Sequence, residues 1–348
     1  MAKTQTPRQR LDALLERFSE EIRQAFLASI QEIRDTARIA AIADALQKGD
    51  VERALQLVEL DPAAFRGLQR AIRTAFEETG VVVARDIPTL RDAQGIPILF
   101  RFDPGFPSAA RWVENRGVEL VTAILDDQKL ALRKALSDGL EAGRAARTVA
   151  LDVVGRLNRA TGQREGGIVG LTSGQYQAVA GARDQLASSD PAALRAYLAR
   201  QARDQRFDKA VIKAISDKAP IEAEVVERAV TQYENRLLAL RGETIGRTEA
   251  TQATGAAQRE AFAQVIAKAG IDASTVTKVW RCTRDERTRD AHRAMDGQVV
   301  GFTQPFKSPD GALLMFPGDT SLGAPAKDVI GCRCVVVNRL AGRQKAAA

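Results

Sequence analysis

The chain has 348 residues, of which 45% are hydrophobic and 5% aromatic, and it carries a formal net charge of +7. Its composition, rich in helix-forming side chains, favours helices over a β-sandwich. Three cysteines and one histidine exclude a secreted scaffold framed by disulfides. The N-terminus lacks a signal-peptide core, and no stretch reaches the roughly 18 consecutive apolar residues that span a bilayer. We therefore expect a protein made in a reducing cytoplasm, without a membrane partner.

Residues 1–80 are predicted to form a helical segment, because apolar side chains recur every three or four positions. Asp61 is the expected N-cap of the last helix, with Pro62 at its first position and Gly80 at its end. The pattern leaves open whether this chain or another protein covers the apolar face. The apolar positions of the first helix are Leu11, Leu14, Leu15, Phe18, Ile22, Phe26, Ile30 and Ile33.

Residues 81–239 are predicted to form a mainly helical domain with a short β or extended insert at 81–106. Prolines interrupt the helical pattern in this insert, so we expect strands near 81–84 and 96–102 that form one small hairpin. Helical patterns resume from about residue 107 and, after a break near residue 160, again from residue 190.

A glycine-rich stretch, "GRLNRATGQREGGIVGLTSGQ", separates two of these helical runs. It lacks the Lys-Ser or Lys-Thr pair of a phosphate-binding loop, and no predicted strand precedes it. We interpret it as a connection in which Thr172 or Ser173 caps the following helix.

Residues 240–340 are predicted to form a small α+β module, followed by a flexible basic tail at 341–348. A helix rich in small residues comes first and ends near Gly270; its Arg247 and Glu249 are either internal ion-pair partners or exposed. Alternating stretches then predict strands at "STVTKVWRCT", "QVVGF" and "CRCVVVNRL". The predicted fold class is therefore a mainly α N-terminal region followed by a small α+β C-terminal module.

Cys282, His292, Cys332 and Cys334 are all the cysteines and histidines of the chain, and zinc prefers these ligand types. Their spacing differs from a Cys-x2-4-Cys knuckle. If Cys332 and Cys334 lie in a strand, their side chains share one face about 7 Å apart, too far for one tetrahedral ion without convergence. Buried cysteines that only pack in the core are the alternative. We expect no cofactor, with zinc as the open alternative.

The charged stretch between residues 281 and 296 also raises the hypothesis of a hydrolase. Its acids and His292 need a cleft in which to converge, and five neighbouring arginines offer ion pairs instead. We therefore expect no catalytic residues and no enzyme. The alternative is a metal-dependent hydrolase or nuclease, or a prophage effector, that uses the region of Asp285, His292, Cys332 and Cys334.

The order and spacing of several motif residues resemble the phage Mu protein F-like head morphogenesis proteins, which are minor head proteins of tailed bacteriophages and prophages. The preceding helix, which contains Arg247 and Glu249, resembles the same family. The motif residues are Trp280, Asp285, Arg287, Thr288, His292, Asp296, Gly297, Pro317, Cys332, Arg333 and Cys334.

This resemblance implies a virion protein inside the capsid near the portal vertex, present in the host cytoplasm during assembly. Its implied partners are the portal protein, the major capsid or scaffold protein, and packaged DNA, which its basic charge would contact without reading sequence. The helices of residues 1–80 would contact the portal or scaffold, with their apolar stripe completed by a partner helix. Capsid assembly, DNA packaging and DNA release are the implied processes.

The resemblance also implies structural roles for the motif residues. Asp285 and Arg287 would form internal ion pairs or caps, and His292 would pack against Cys332 and Cys334. Many relatives carry a Cys-x-x-Cys pair where this chain has Arg289 and His292, and a histidine in place of Val329. A metal held through those positions would lack two donors here.

Overall fold

The structure is a computed structural model that describes residues 5–91 and 96–340. The predicted tail at 341–348 lies outside the described residues. The α-helices are α1 Pro7–Thr36, α2 Ile39–Gln47, α3 Val51–Gln56, α4 Arg66–Asp86, α5 Pro107–Glu141, α6 Ala146–Val154, α7 Ser173–Ala187, α8 Pro191–Leu198, α9 Asp208–Asp217, α10 Ala223–Ala269, α11 Asp290–Ala294 and α12 Ala326–Val329. The strands are β1 Leu90–Arg91, β2 Pro97–Ile98, β3 Arg156–Leu157, β4 Arg164–Glu165, β5 Val276–Arg281, β6 Val299–Gly301, β7 Phe306–Lys307, β8 Leu313–Leu314 and β9 Val335–Leu340.

This element order confirms the predicted fold class, since long helices precede a small module of antiparallel strands. Among the described helices, none combines the length and the apolar character needed to cross a membrane.

The apolar stripe of α1 is buried within the chain. Phe18, Ile22 and Phe26 have no exposed side-chain surface, and Ile30 is 1% exposed. The expectation that a partner helix completes this stripe is therefore wrong, because other elements of the same chain already cover it.

The prediction of an extended segment at 81–84 is also wrong, because α4 continues to Asp86. Three successive valines favour a strand locally, but the buried positions of the helix continue in register through Val83. Gly80 does not end the helix; a Cβ atom there would lie 2.3 Å from the ring of Phe102. A small hairpin does follow, but its first strand is β1, after the helix, and not residues 81–84; Leu90 pairs with Ile98.

Two compact units group segments that are distant in sequence. The first comprises Met1–Gln24, Leu68–Val118 and Glu243–Ala348, and the second comprises Ala25–Gly67 and Glu119–Gly242, in each case as far as these segments are described. These units do not follow the three consecutive ranges expected from the sequence, whose boundaries remain predictions.

The glycine-rich connection belongs to the second unit, and its amides are already occupied. The Gly167 N–H donates to Glu234 Oε2 at 2.7 Å, and the Gly170 N–H donates to Gln128 Oε1 at 2.6 Å. A phosphate-binding loop needs such amides free for its ligand, so the geometry agrees with the prediction that this stretch is not a phosphate-binding loop. Thr172 caps α7 through a capping box, as the sequence predicted.

In the first unit, β5 is the central strand of a three-stranded antiparallel sheet ordered β6-β5-β9. The helix α10 packs closely against other elements of this unit through its glycines. A Cβ atom at Gly246 would lie 2.2 Å from the Ser19 carbonyl oxygen, and one at Gly255 would lie 2.6 Å from the Phe316 ring. Small residues on α10 therefore permit the close packing that the sequence suggested.

Lys278 on β5 is buried, which is rare for a lysine. Its Nζ donates to the Met315 carbonyl oxygen at 2.8 Å and lies 4.9 Å from the centre of the Phe306 ring. Burial lowers the pKa of this ammonium group to about 8.

Candidate metal centre

Two segments of the C-terminal module bring the candidate site together. The register of β5 with β9 pairs Trp280 with Val336 and Arg281 with Val335, so the cysteines that precede β9 lie beside the end of β5. The short helix α11 then places His292 over the same region, where its ring meets the Trp280 ring edge-on at 5.4 Å between centres.

His292, Cys332 and Cys334 form a compact buried group. The His292 Nδ1 atom lies 3.5 Å from Cys332 Sγ and 3.6 Å from Cys334 Sγ. All three donor atoms lie within 4.8 Å of one another, and the side chains are at most 4% exposed. Within residues 5–91 and 96–340, this is the group of histidine, cysteine or acidic side chains with the geometry to hold a metal ion.

The prediction that both cysteines lie in a strand is wrong, because β9 begins only at Val335. The chain turns before the strand: Gly331 has a φ of 65°, and the Cys334 N–H points to Cys332 Sγ at 3.5 Å. The two sulfurs therefore converge, and the separation of about 7 Å expected for one face of a strand does not apply.

The structure does not bring Cys282 into this group. Its thiol is free and 7% exposed, and its backbone N–H donates to Asp296 Oδ1 at 3.1 Å. Of the four candidate ligands predicted from the sequence, three therefore lie together and Cys282 lies outside their group.

Three polar atoms around the histidine are buried and lack a hydrogen-bond partner within the described part of the chain. They are Trp280 Nε1, His292 Nε2 and Asp328 Oδ2. His292 Nε2 faces Asp328 Oδ1 at 4.0 Å, beyond ordinary hydrogen-bond length, and both side chains are 2% exposed. A buried polar atom without a hydrogen-bond partner destabilises the folded state, and few such atoms occur in native proteins, so three of them around one histidine call for an explanation.

The two thiols differ in their electrostatics. A hydrogen bond from Cys334 lowers the pKa of the Cys332 thiol against the opposing effect of burial. The same hydrogen bond, with burial, raises the pKa of Cys334 well above its usual range. Cys332 is therefore the sulfur that more readily holds negative charge.

Comparison with known proteins identifies the family of the chain. The profile of the family described as Phage Mu protein F like protein matches residues 130–337, more than half of the chain and the whole candidate site. The chain belongs to the Phage Mu protein F like family.

Among curated proteins, the Minor head protein GP7 of Bacillus phage SPP1 is 37% identical over 60 residues, which cover 17% of this chain and 18% of that protein. The match thus spans less than a fifth of the relative's length. No solved structure matches the chain significantly.

The motif residues of this Phage Mu F-like chain surround the site with internal contacts. Asp285 and Arg333 pair through two hydrogen bonds, of which Arg333 Nη2 to Asp285 Oδ1 measures 2.6 Å. Thr288 Oγ1 donates to Asp285 Oδ1 at 3.0 Å. Arg287 is exposed, and its charge also lowers the pKa of Asp285.

Other motif residues shape the turns of the module. Asp296 pairs with Arg284 at 2.7 Å, and Gly297 adopts a φ of 86° that favours glycine. Pro317 is buried beside Asp319, whose carboxylate accepts a hydrogen bond from the Met315 N–H at 2.8 Å.

Arg247 and Glu249 on α10 are both ion-paired, which decides the question that the sequence left open. Arg247 Nη1 lies 3.0 Å from Glu16 Oε1, and Arg116 Nε donates to Glu249 Oε2 at 2.7 Å. Glu249 is 2% exposed, so α10 anchors α1 and α5 within the first unit.

The acids proposed for hydrolysis do not converge. Asp285 and Asp296 pair with different arginines, and the Asp290 side chain is fully exposed. None of them joins the group formed by His292 and the two cysteines.

Sequence reasoning missed two residues that support the site. Asp328 faces the histidine, and Thr251 on α10 donates to the Cys332 carbonyl oxygen at 2.8 Å. The sequence signal for Asp328 was its position as an acidic residue four places before Cys332, in "DVIGC". Thr251 gave none, because only the fold brings α10 to the cysteine turn.

Proposed function

We propose that this chain is a minor head protein of a tailed bacteriophage or prophage that acts through contacts with other head components during morphogenesis. The observation that carries the proposal is the family match over residues 130–337, together with similarity to a protein named as a minor head protein. The arrangement of the module supports a structural role, since its arginines and acids pair with one another instead of converging in a cleft.

We further propose the portal protein, the major capsid or scaffold protein, and packaged DNA as partners, with the chain inside the capsid near the portal vertex. Because the apolar stripe of α1 is buried by its own chain, contacts of residues 1–80 would use the exposed side chains of those helices. The net charge of +7 favours sequence-independent contact with phosphates.

Quantitative mass spectrometry of purified procapsids and mature heads tests the head role. We expect a few copies of this chain per portal ring, and their loss from particles of a mutant that does not express it. Restoration by plasmid-borne wild type is the control. Absence from both procapsids and mature heads would contradict the proposal.

Fluorescence anisotropy with two duplexes of unrelated sequence tests the DNA contact. We expect equal affinities that fall linearly with salt on logarithmic axes, because phosphate neutralisation releases counterions. A strong preference for one sequence, or an affinity insensitive to salt, would argue against non-specific contact.

The geometry gives no specific support to the hydrolase alternative. A direct cleavage assay distinguishes this alternative from the proposed head role. Purified protein incubated with plasmid DNA and Mg²⁺ or Mn²⁺ is expected to leave the DNA intact. Cleavage by the wild-type protein that disappears in a folded His292→Ala variant would support the hydrolase alternative.

A further inference from the structure

We propose that His292, Cys332 and Cys334 bind one zinc ion, which fastens α11 to the turn before β9. Thiolate sulfur and imidazole nitrogen are the ligands that zinc prefers in proteins. This inference concerns the folded module alone and does not depend on the proposed head function.

The distances fit a shared tetrahedral ion. Zinc bonds of about 2.3 Å to sulfur and about 2.0–2.1 Å to nitrogen place adjacent N and S ligands about 3.5–3.6 Å apart. The two observed separations from His292 Nδ1 are 3.5 and 3.6 Å. A single S–H···N hydrogen bond would favour one sulfur, whereas the near-equal spacing suits an ion bound by both.

The surroundings of the histidine supply the outer contacts of such a site. Zinc on Nδ1 fixes the proton on Nε2, and this N–H then points toward the buried carboxylate of Asp328 at 4.0 Å. Metal binding thereby gives a role to two atoms that otherwise lack partners, His292 Nε2 and Asp328 Oδ2. Carboxylates in this position orient metal-bound histidines in many zinc proteins.

The backbone of the cysteine turn is held independently of any metal. Thr251 donates to the Cys332 carbonyl oxygen, and the Gly331 N–H donates to Thr248 Oγ1 at 3.0 Å. Arg333, between the cysteines, is fixed by Asp285. The two sulfurs therefore need little rearrangement to bind an ion, which limits the entropy lost on binding.

The protein also contains a matched control thiol. Cys282 is buried in the same module but lies outside the group. We therefore assign it no zinc bond.

The test measures zinc on the full-length protein after dialysis against metal-free buffer, by mass spectrometry of the metal. We expect one zinc per chain in wild type and in Cys282→Ser. Cys332→Ser, Cys334→Ser and His292→Ala should lose it. Asp328→Asn should raise the zinc Kd by about 10–100-fold, and the ligand variants should raise it further.

Cobalt substitution of the wild-type protein tests the site without relying on variants that fail to fold. Wild-type protein reloaded with Co²⁺ should show tetrahedral d–d bands and thiolate-to-cobalt absorption of two sulfurs, unchanged in Cys282→Ser. A strong chelator should lower the Tm of both proteins. Wild type without stoichiometric zinc and without these bands would overturn the proposal, as would equal metal loss in Cys282→Ser and Cys332→Ser.

Discussion

Asp285 and Arg333 join the loop after β5 to the turn before β9, through a paired guanidinium and carboxylate that are 48 positions apart in the chain. The Arg333 guanidinium holds the pKa of the Asp285 carboxyl well below its ordinary value. Because the pair fixes the residue between the two cysteines, it links the family motif directly to the geometry of the candidate metal centre.

Asp285→Asn is expected to lower the Tm of the protein at neutral pH. The pKa of Asp285 is depressed in the folded state, so its contribution is present above the ordinary value of 3.8 and is lost as pH falls further. The Tm difference between wild type and variant should therefore shrink below about pH 3.8. Glu286→Gln, which alters an exposed neighbouring acid, is the control and should match wild type. A pH-independent difference would show that the ion pair is not its cause.

Glu234→Gln should alter how the stability of the second unit depends on pH. Burial raises the pKa of Glu234 from 4.5 to about 7, so folding favours the protonated form. That preference is fully satisfied below pH 4.5 and is lost as pH rises toward 7. Between pH 5 and pH 8, wild type should lose up to about 3 kcal/mol relative to the variant, measured by urea unfolding.

The exposed Glu222 provides the comparison for this experiment. Glu222→Gln should follow the wild-type pH dependence throughout. A constant difference between wild type and Glu234→Gln across this range would mean that Glu234 titrates as an exposed carboxyl does.

Gly246→Ala is expected to destabilise the first unit by about 1–3 kcal/mol, because the added methyl group would collide with the Ser19 backbone and force the helices apart. Gly67→Ala is the matched control: a Cβ atom there meets nothing within 4 Å, and alanine favours helix. Denaturant unfolding should show a lowered midpoint for the first variant and an unchanged or raised one for the second. Equal effects would contradict the close contact.

Thr251→Val should cost about 1–3 kcal/mol, since it removes the donor to the buried Cys332 carbonyl oxygen. Thr254, one turn further along α10, is also buried, but its hydroxyl has no partner among the described residues. Thr254→Val should therefore be neutral or slightly stabilising. Thermal unfolding of the two variants compares them, and an equal loss in both would refute the specific role of Thr251.

Much of the fold could be predicted because local signals and tertiary packing agree. The capping box at Thr172 and the glycine after α10 act within a few residues and lie where expected. Asp61 also acts as an N-cap, but of a 3-10 turn at Pro62–Phe65 that leads into α4. The alternating pattern around Trp280 likewise predicts β5.

The failures arise where distant contacts override local preference. The valines at 81–83 favour a strand, but Gly80 packs against Phe102 and keeps the segment helical. The turn at Gly331 that brings the cysteine sulfurs together depends on Thr248 and Thr251, about 80 positions earlier in the chain. The ligand types could thus be predicted, whereas their convergence and the exclusion of Cys282 could not.

The buried Lys278 offers a chemical measure of how often the C-terminal module opens. Amine-reactive labels need an accessible amine, and this one is enclosed between the Met315 carbonyl and the Phe306 ring. Lys307 and Lys327 on the same module are exposed and react in the closed state as internal references. The labelling rate at Lys278, relative to the rates at Lys307 and Lys327, would therefore report how often β5 separates from its neighbours in the purified protein.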